Sequence, residues 1–121
     1  MSTLKVTNVA GLTGSSTNLE QGLAKTWINF DGSATGTVRD SFNHSSIDDN
    51  GVGRYDLHAT NAFSNDDYVP QVTIGFVSDT GRYGEVTNFR STSEVEVGAR
   101  NSSGSSVDND GVHVAIFGDL A

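Results

Sequence analysis

The sequence contains no cysteine, and this absence removes several classes of protein at once. Disulfide scaffolds, thiolate enzymes and cysteine-based zinc sites all require thiols. Basic residues are also scarce, because 7 Lys and Arg stand against 15 Asp and Glu, which gives a net charge of −8. A field of that sign repels phosphate backbones and anionic membrane surfaces. We therefore expect no nucleic-acid partner and no membrane insertion, and we interpret the acidity as a means of keeping an exposed protein soluble.

Long apolar runs are missing as well. No stretch approaches the roughly 20 apolar residues that cross a bilayer, and the N-terminus lacks the apolar core of a signal peptide. We expect synthesis in a cytoplasm and release by a route other than secretion, such as lysis of a host. Apolar residues make up 35% of the 121 residues, whereas Gly, Ser, Thr and Asn together supply 51. This composition predicts one small domain with a thin core, short strands and many turns.

Alternation of apolar and polar residues predicts strands along most of the chain. In residues 54–60, Tyr55, Leu57 and Ala59 are predicted to face the core while the charged residues between them face outward. Further strands are predicted at residues 4–9, 24–30, 37–42, 68–76, 94–100 and 112–117, with hairpin turns at residues 31–36 and 48–51. Residues 77–92 are predicted to form a loop with one weak strand at residues 85–89. The pattern indicates an all-β fold, a single antiparallel β-sandwich or short barrel.

The first part of the chain differs from the rest. Residues 11–18 have no periodicity and consist mainly of Gly, Ser and Thr, which is typical of a flexible arm that a partner orders. A helix starting at Leu19 after an Asn18 cap would end within about one turn, because Gly22 follows. We therefore divide the chain into an N-terminal arm or attachment segment at residues 1–22 and a β-sandwich domain at residues 23–121.

Catalytic and metal-binding motifs are absent from the sequence. His44, His58 and His113 are the only imidazoles, and no nucleophile elbow, metalloprotease helix or phosphate loop accompanies them. The Asp-rich turns at residues 48–51 and 108–111 offer oxygen ligands that calcium prefers, with Asp66-Asp67 nearby only if the fold allows. Asp and Asn before Gly are also what tight turns favour. We predict no enzyme activity, no catalytic residue, no cofactor and no metal site.

Aromatic residues provide the remaining candidates for recognition. Trp27 is the only tryptophan, and its strand position suits either a core contact or an exposed platform for a sugar ring. Arg82 and Tyr83, in a Gly-Arg-Tyr-Gly segment, are predicted to form an exposed recognition loop.

Residues 24–32 read Ala-Lys-Thr-Trp-Ile-Asn-Phe-Asp-Gly. They resemble the signature Ala-Lys-x-Trp-x-Asn-Phe-x-Gly of tail-fibre and virion structural proteins of marine tailed bacteriophages, especially those of cyanobacteria. Residues 2–6, 39–43, 45–51, 53–55 and 114–121 are similar to further segments of that family in the same order. The resemblance implies a structural role for the signature residues, which are Lys25, Trp27, Asn29, Phe30 and Gly32, and it favours packing for the tryptophan.

The resemblance also implies a function. It predicts a virion surface appendage of the tail-fibre type that takes part in host recognition and contacts other virion proteins, with a host surface glycan or receptor as ligand. The thin core predicts a closed homo-oligomer, and a homotrimer is favoured. Because no long shaft precedes the signature, whereas many relatives carry one, a head decoration protein on the major capsid protein is the alternative. A free carbohydrate-binding module, with calcium at the Asp-rich turns, is the third hypothesis.

Overall fold

The computed structural model describes residues 2–9, 17–33, 36–75 and 81–121. Within these ranges the chain forms ten strands and one short helix. In chain order they are β1 (Asn8–Val9), β2 (Thr17–Asn18), α1 (Leu19–Gly22), β3 (Thr26–Asp31), β4 (Thr37–Phe42), β5 (His44–Asp49), β6 (Arg54–Ala59), β7 (Val69–Gly75), β8 (Tyr83–Ser91), β9 (Glu94–Arg100) and β10 (Gly111–Phe117).

The strands from β3 to β10 form two antiparallel four-stranded sheets that pack face to face. Sheet 1 has the order β4-β3-β10-β7, and sheet 2 has the order β5-β6-β9-β8. The predicted all-β sandwich is therefore confirmed, and among the described residues the two sheets do not close into a barrel. The strands β1 and β2 pair with each other outside the sandwich.

The hydrophobic core lies between the two sheets, where the period-2 pattern of each strand directs its apolar side chains. Phe63 and Tyr68 close this core at one end, and their rings stack 4.7 Å apart. The predicted inward face of β6 is confirmed for Tyr55 and Leu57, and Ala59 is half-buried. The buried residues that β3, β6, β9 and β10 contribute are Ile28, Phe30, Tyr55, Leu57, Val95, Val97, Ala99, Val112, Val114 and Ile116.

Antiparallel order places the connections at two opposite ends of the sandwich. At the loop end β3, β5, β7 and β9 end and β4, β6, β8 and β10 begin, and the turn after β5 and the crossing from β9 to β10 lie there. The terminal end carries residue 43, residues 60–68 and 92–93, and also α1 and residues 118–121. Two hydrogen bonds hold these segments together. Asp119 accepts one from the side chain of Gln21 in α1, and its backbone carbonyl accepts another, at 2.8 Å, from the backbone N–H of Ser64.

Two predicted strands differ from the observed ones by four residues in length, and the others differ by at most two. The strand predicted at residues 4–9 is reduced to Asn8–Val9, because only these residues have a pairing partner, in β2. The weak strand predicted at residues 85–89 is instead the nine-residue β8, and two register shifts, between Val86 and Asn88 and between Phe89 and Ser91, break the alternation that sequence reading relies on. Residues 10–16 and 76–80, which include most of the predicted flexible stretch, lie outside the described residues.

Candidate functional site

The predicted recognition pair, Arg82 and Tyr83, lies at the loop end. Tyr83 is the first residue of β8 and pairs with Arg100, so only half of the predicted loop segment is loop. The Arg82 guanidinium donates a hydrogen bond of 2.8 Å to the backbone carbonyl of Asp108, and the Tyr83 ring is 45% exposed. The arginine is therefore held against the crossing from β9 to β10, while the tyrosine faces solvent.

The two Asp-rich turns also meet at the loop end. Asp108 accepts a hydrogen bond of 2.7 Å from the backbone N–H of Gly53, which follows the first turn. The side chains of Asp49 and Asn109 accept hydrogen bonds from backbone N–H groups within their own turns. No cluster of three or more metal-ligating side chains occurs in the described part of the chain. The carboxylates of Asp49 and Asp108 thus bond to the backbone, as carboxylates do in tight turns.

Two residues of the signature, Phe30 and Gly32, are part of the core. Phe30 is fully buried and meets the ring of Tyr55 edge to face at 5.0 Å. The Tyr55 hydroxyl donates a hydrogen bond of 2.9 Å to the carbonyl of Gly32, and a Cβ atom at position 32 would lie 2.4 Å from that hydroxyl oxygen. Burial, followed by the nearby carboxylate of Asp108, raises the pKa of the Tyr55 hydroxyl, so it remains a proton donor.

Lys25, another signature residue, lies just before β3. Its backbone N–H donates a hydrogen bond of 2.8 Å to the carbonyl of Ile116, and its ammonium group donates to carbonyls of residues 20 and 23. The lysine therefore connects α1 to the sandwich.

Trp27 and Asn29, the remaining signature residues, lie on the outer face of sheet 1. Trp27 is 37% exposed, so the predicted core contact is wrong: the period of 2 directs its neighbours Thr26 and Ile28 inward and the indole outward. The two residues line a shallow open groove of about 290 Å³, which we call the Trp27 groove. Side chains of β7 and β10 on the same outer face also line the groove, namely Gln71, Thr73, His113 and Ala115.

The outer face of sheet 2 carries a network of charges that sequence reasoning did not predict. Asp56 was expected to point into solvent, yet it is only 7% exposed, and Glu96 is 1% exposed. They are directly opposite each other on β9 and β6, and like charges in that arrangement repel. Arg90 bridges both carboxylates, and Arg54 bonds Glu96 at 2.6 Å. The two arginines cover the carboxylates, so Asp56 faces outward as predicted but, like Glu96, is not exposed.

The ionisation of Glu96 follows from these contacts. Burial alone would raise the pKa of its carboxyl group, but hydrogen bonds from Thr87 and Arg54 and the charges of Arg54 and Arg90 outweigh it and leave the pKa lowered. Glu96 is therefore charged at neutral pH and acts as a structural ion. The structural role of Glu96 could have been identified only from the pairing of β9 with β6, which a single sequence does not reveal.

His58 lies at the edge of this face, where its Nε2 atom is 3.0 Å from a carboxylate oxygen of Asp48. Among the described residues, no helix has the length and apolar character needed to span a membrane.

Comparison with protein-family models, with curated proteins and with solved structures finds no match to this chain.

Proposed function

We propose that this chain is a non-enzymatic structural protein of a tailed bacteriophage particle, a surface appendage of the tail-fibre or receptor-binding type. In this proposal residues 1–22 attach the protein to the particle at its terminal end, and the loop end points away. The family resemblance of residues 24–32 motivates the virion location.

The observation that carries the proposal is the separation of the two ends. Helix α1 and residues 118–121 lie together at the terminal end, and Tyr83 and the Asp-rich turns lie at the opposite end. An attachment made through the arm therefore leaves the loop end and both outer sheet faces accessible. Binding residues are often found on loops that a rigid scaffold presents in this way.

The described part of the arm also has the character of a contact segment. Leu4 is 87% exposed and Val6 is 37% exposed, and they alternate with polar residues. Burying one such side chain on a partner gains about 1.5–3 kcal/mol. An arm of this kind is suited to lie on another virion protein.

The alternative is a head decoration protein, in which the same arm would lie along the capsid lattice. We further propose that three copies form a closed ring, because a thin core gains from burial between subunits. Sedimentation equilibrium of the purified chain tests this ring directly: a trimer mass supports it, and a monomer mass at micromolar concentration contradicts it.

Two antibodies test the location and the orientation together. One is raised against residues 101–110 at the loop end, and the matched control is raised against residues 2–9 in the arm. We expect the first antibody to label the tails of intact virions in electron micrographs, and the second to bind only after the particles are disrupted.

The outcomes separate the hypotheses. Label over the head would favour the decoration protein, and label on neither head nor tail after disruption would overturn the virion role and favour a free binding module. Equal labelling of intact particles by both antibodies would contradict attachment through the arm.

A further inference from the structure

Packing of the sandwich core does not explain why the residues that line the Trp27 groove are where they are. Trp27 is the only tryptophan of the chain, and it leaves 37% of its surface in water on a strand paired on both sides. Aromatic side chains of this size contribute most when they are covered. The exposed indole is therefore available to a ligand that reaches the outer face of sheet 1.

The polar residues around the indole carry amide, hydroxyl or imidazole groups. Asn29, Gln71, Thr73 and His113 lie on the three strands around the groove, and no carboxylate, guanidinium or ammonium group lines it. The side-chain oxygen of Asn29 is buried and has no hydrogen-bond partner among the described residues. Such an atom needs an explanation, and Asn29 is one of the residues that line the groove.

The aromatic surface extends beyond the groove. Phe42 is directly opposite Trp27 in the pairing of β3 with β4, so the two side chains project from the same face of the sheet. Phe42 is 55% exposed. Two neighbouring aromatic rings beside a row of amides form a surface longer than one small ligand.

We propose that the Trp27 groove binds a neutral oligosaccharide. A sugar ring has an apolar face of C–H groups, which stacks on the indole, and an edge of hydroxyl groups, which exchange hydrogen bonds with Asn29 and Gln71. A second sugar unit would lie over Phe42. The biological meaning of this binding rests on the function proposed above, because it would make the glycan a host-surface ligand of the particle.

The chemistry of the groove favours this ligand over the others that an open sheet face attracts. An acidic ligand would meet a net charge of −8 with no cation in the groove. A cationic ligand would find no carboxylate in the groove lining itself, although Asp40 of β4 is directly opposite Asn29 at its edge. The cavity inside the sandwich, beside Leu57 and Tyr68, has room for about one water molecule, at 10 Å³, and admits no sugar.

Fluorescence of the isolated full chain tests the proposal, because its single tryptophan reports on the groove alone. Maltotetraose, cellotetraose, mannotetraose and chitotetraose are titrated separately up to about 10 mM, a weak-binding limit, and sialyllactose serves as the acidic probe. We expect at least one neutral probe to change the Trp27 emission with a saturable curve. Sialyllactose should produce a smaller change or none.

Variants then locate the binding by calorimetry with the probe that binds. We expect Trp27→Ala to weaken the affinity about tenfold or more, since the stacking surface is lost. Gln71→Ala, on the edge strand β7, should weaken the affinity less, and it provides the test of the groove if Trp27→Ala fails to fold. Leu23→Ala, at an exposed apolar residue outside the groove, is the matched control and should leave the affinity unchanged, while Tyr83→Ala tests the loop end as the other candidate surface.

Several results would overturn the proposal. These are the absence of any saturable change with all four neutral probes, loss of affinity in Tyr83→Ala but not in Trp27→Ala, or tighter binding of sialyllactose. A Trp27 emission that changes on dilution without any sugar would indicate that a second copy of the chain covers this face. Failure of the antibody labelling described above leaves these binding results intact, so the two proposals fail separately.

Discussion

The Tyr55 side chain connects the two sheets at the loop end. It packs against Phe30 of sheet 1, its hydroxyl donates to the carbonyl of Gly32, and it lies 3.3 Å from a carboxylate oxygen of Asp108. The ring has no room to move, because it is fully buried. The signature residues at positions 30 and 32 therefore have a packing explanation.

The first prediction concerns Gly32→Ala. The added methyl group would lie 2.4 Å from the Tyr55 hydroxyl oxygen and 2.6 Å from the ring carbon that bears it. We expect the free energy of unfolding to fall by about 3 kcal/mol, the upper part of the range for overpacked cores. Urea unfolding followed by circular dichroism measures the change. Gly22→Ala is the matched control, because nothing lies within 4 Å of a Cβ atom there; an equal loss in both variants would contradict this explanation.

A second prediction at this scale concerns the charge of Glu96. Its pKa in the folded protein lies below the ordinary value of 4.5, so its stabilising contribution is complete above pH 4.5 and disappears as the pH falls through the folded pKa. We expect Glu96→Gln to lower the free energy of unfolding by about 2 kcal/mol at pH 7, because the arginines lose a buried partner. The difference from the unmodified chain should close as the pH falls below 4.5.

Thermal unfolding between pH 7 and pH 2.5 measures this difference. Glu94→Gln is the matched control, because its carboxylate on the same face is more exposed and lies 3.8 Å from Arg90. A pair of that kind contributes less than about 1 kcal/mol. A constant difference between Glu96→Gln and the unmodified chain across the whole pH range would show that the effect is not electrostatic.

At the scale of strands, alternation predicted most elements because most of them follow it. The strand at residues 94–100 was predicted with the bounds of β9, and residues 54–60 correspond to β6 with one residue less. The strand β8 was underestimated, since its two register shifts place consecutive polar residues where alternation expects apolar ones. The alternation of apolar and polar residues also indicates on which face of a sheet a side chain lies, but not whether other side chains cover that face. For this reason neither the exposure of Trp27 nor the burial of Glu96 was predictable from sequence.

The next prediction concerns the edge of the sandwich, where β7 of sheet 1 approaches β8 of sheet 2. A Cβ atom at Gly84 of β8 would lie 2.3 Å from a methyl carbon of Val72 and 3.2 Å from its backbone carbonyl carbon. We expect Gly84→Ala to separate the two edge strands and to increase amide hydrogen exchange in β7 and β8, while β3 and β4 keep their protection. Two-dimensional NMR measures this pattern residue by residue.

A second substitution serves as the control for Gly84→Ala. Val72→Ala in the same chain removes the nearest methyl carbon, so part of the lost protection should return. Exchange rates in β7 and β8 that match those of the unmodified chain in Gly84→Ala would contradict close packing at this edge. Uniformly faster exchange across both sheets would indicate global destabilisation instead.

At the scale of the molecule, sequence reading predicted the architecture but not the arrangement of its surfaces. Composition and turn residues are local properties, so they indicate a sandwich. The meeting of the Asp-rich turns with Arg82, and the assembly of the Trp27 groove from three strands, depend on contacts between residues far apart in the chain. A single sequence contains no direct record of such contacts.

The division between an arm at residues 1–22 and a sandwich at residues 23–121 provides the last prediction. Helix α1 has no buried residue, and its described hydrogen bonds to the sandwich, through Gln21 and Lys25, are at exposed positions. We expect removal of residues 1–22 to shift Tm by less than about 5 °C, since exposed contacts contribute under about 1 kcal/mol. Differential scanning calorimetry measures the shift.

Removal of residues 118–121 is the contrasting change at the same end. Ser64 donates to the Asp119 carbonyl, Leu120 pairs with Phe63, and Gly118 packs against Phe63 and Tyr68, so this truncation opens the core and should lower Tm by about 10 °C or more. If the arm is only an attachment segment, the chain of residues 23–121 should fold but fail to join particles assembled without the full protein. A shortened chain that is unfolded would make the arm part of the domain, and one that folds and still joins particles would place the attachment surface on the sandwich itself.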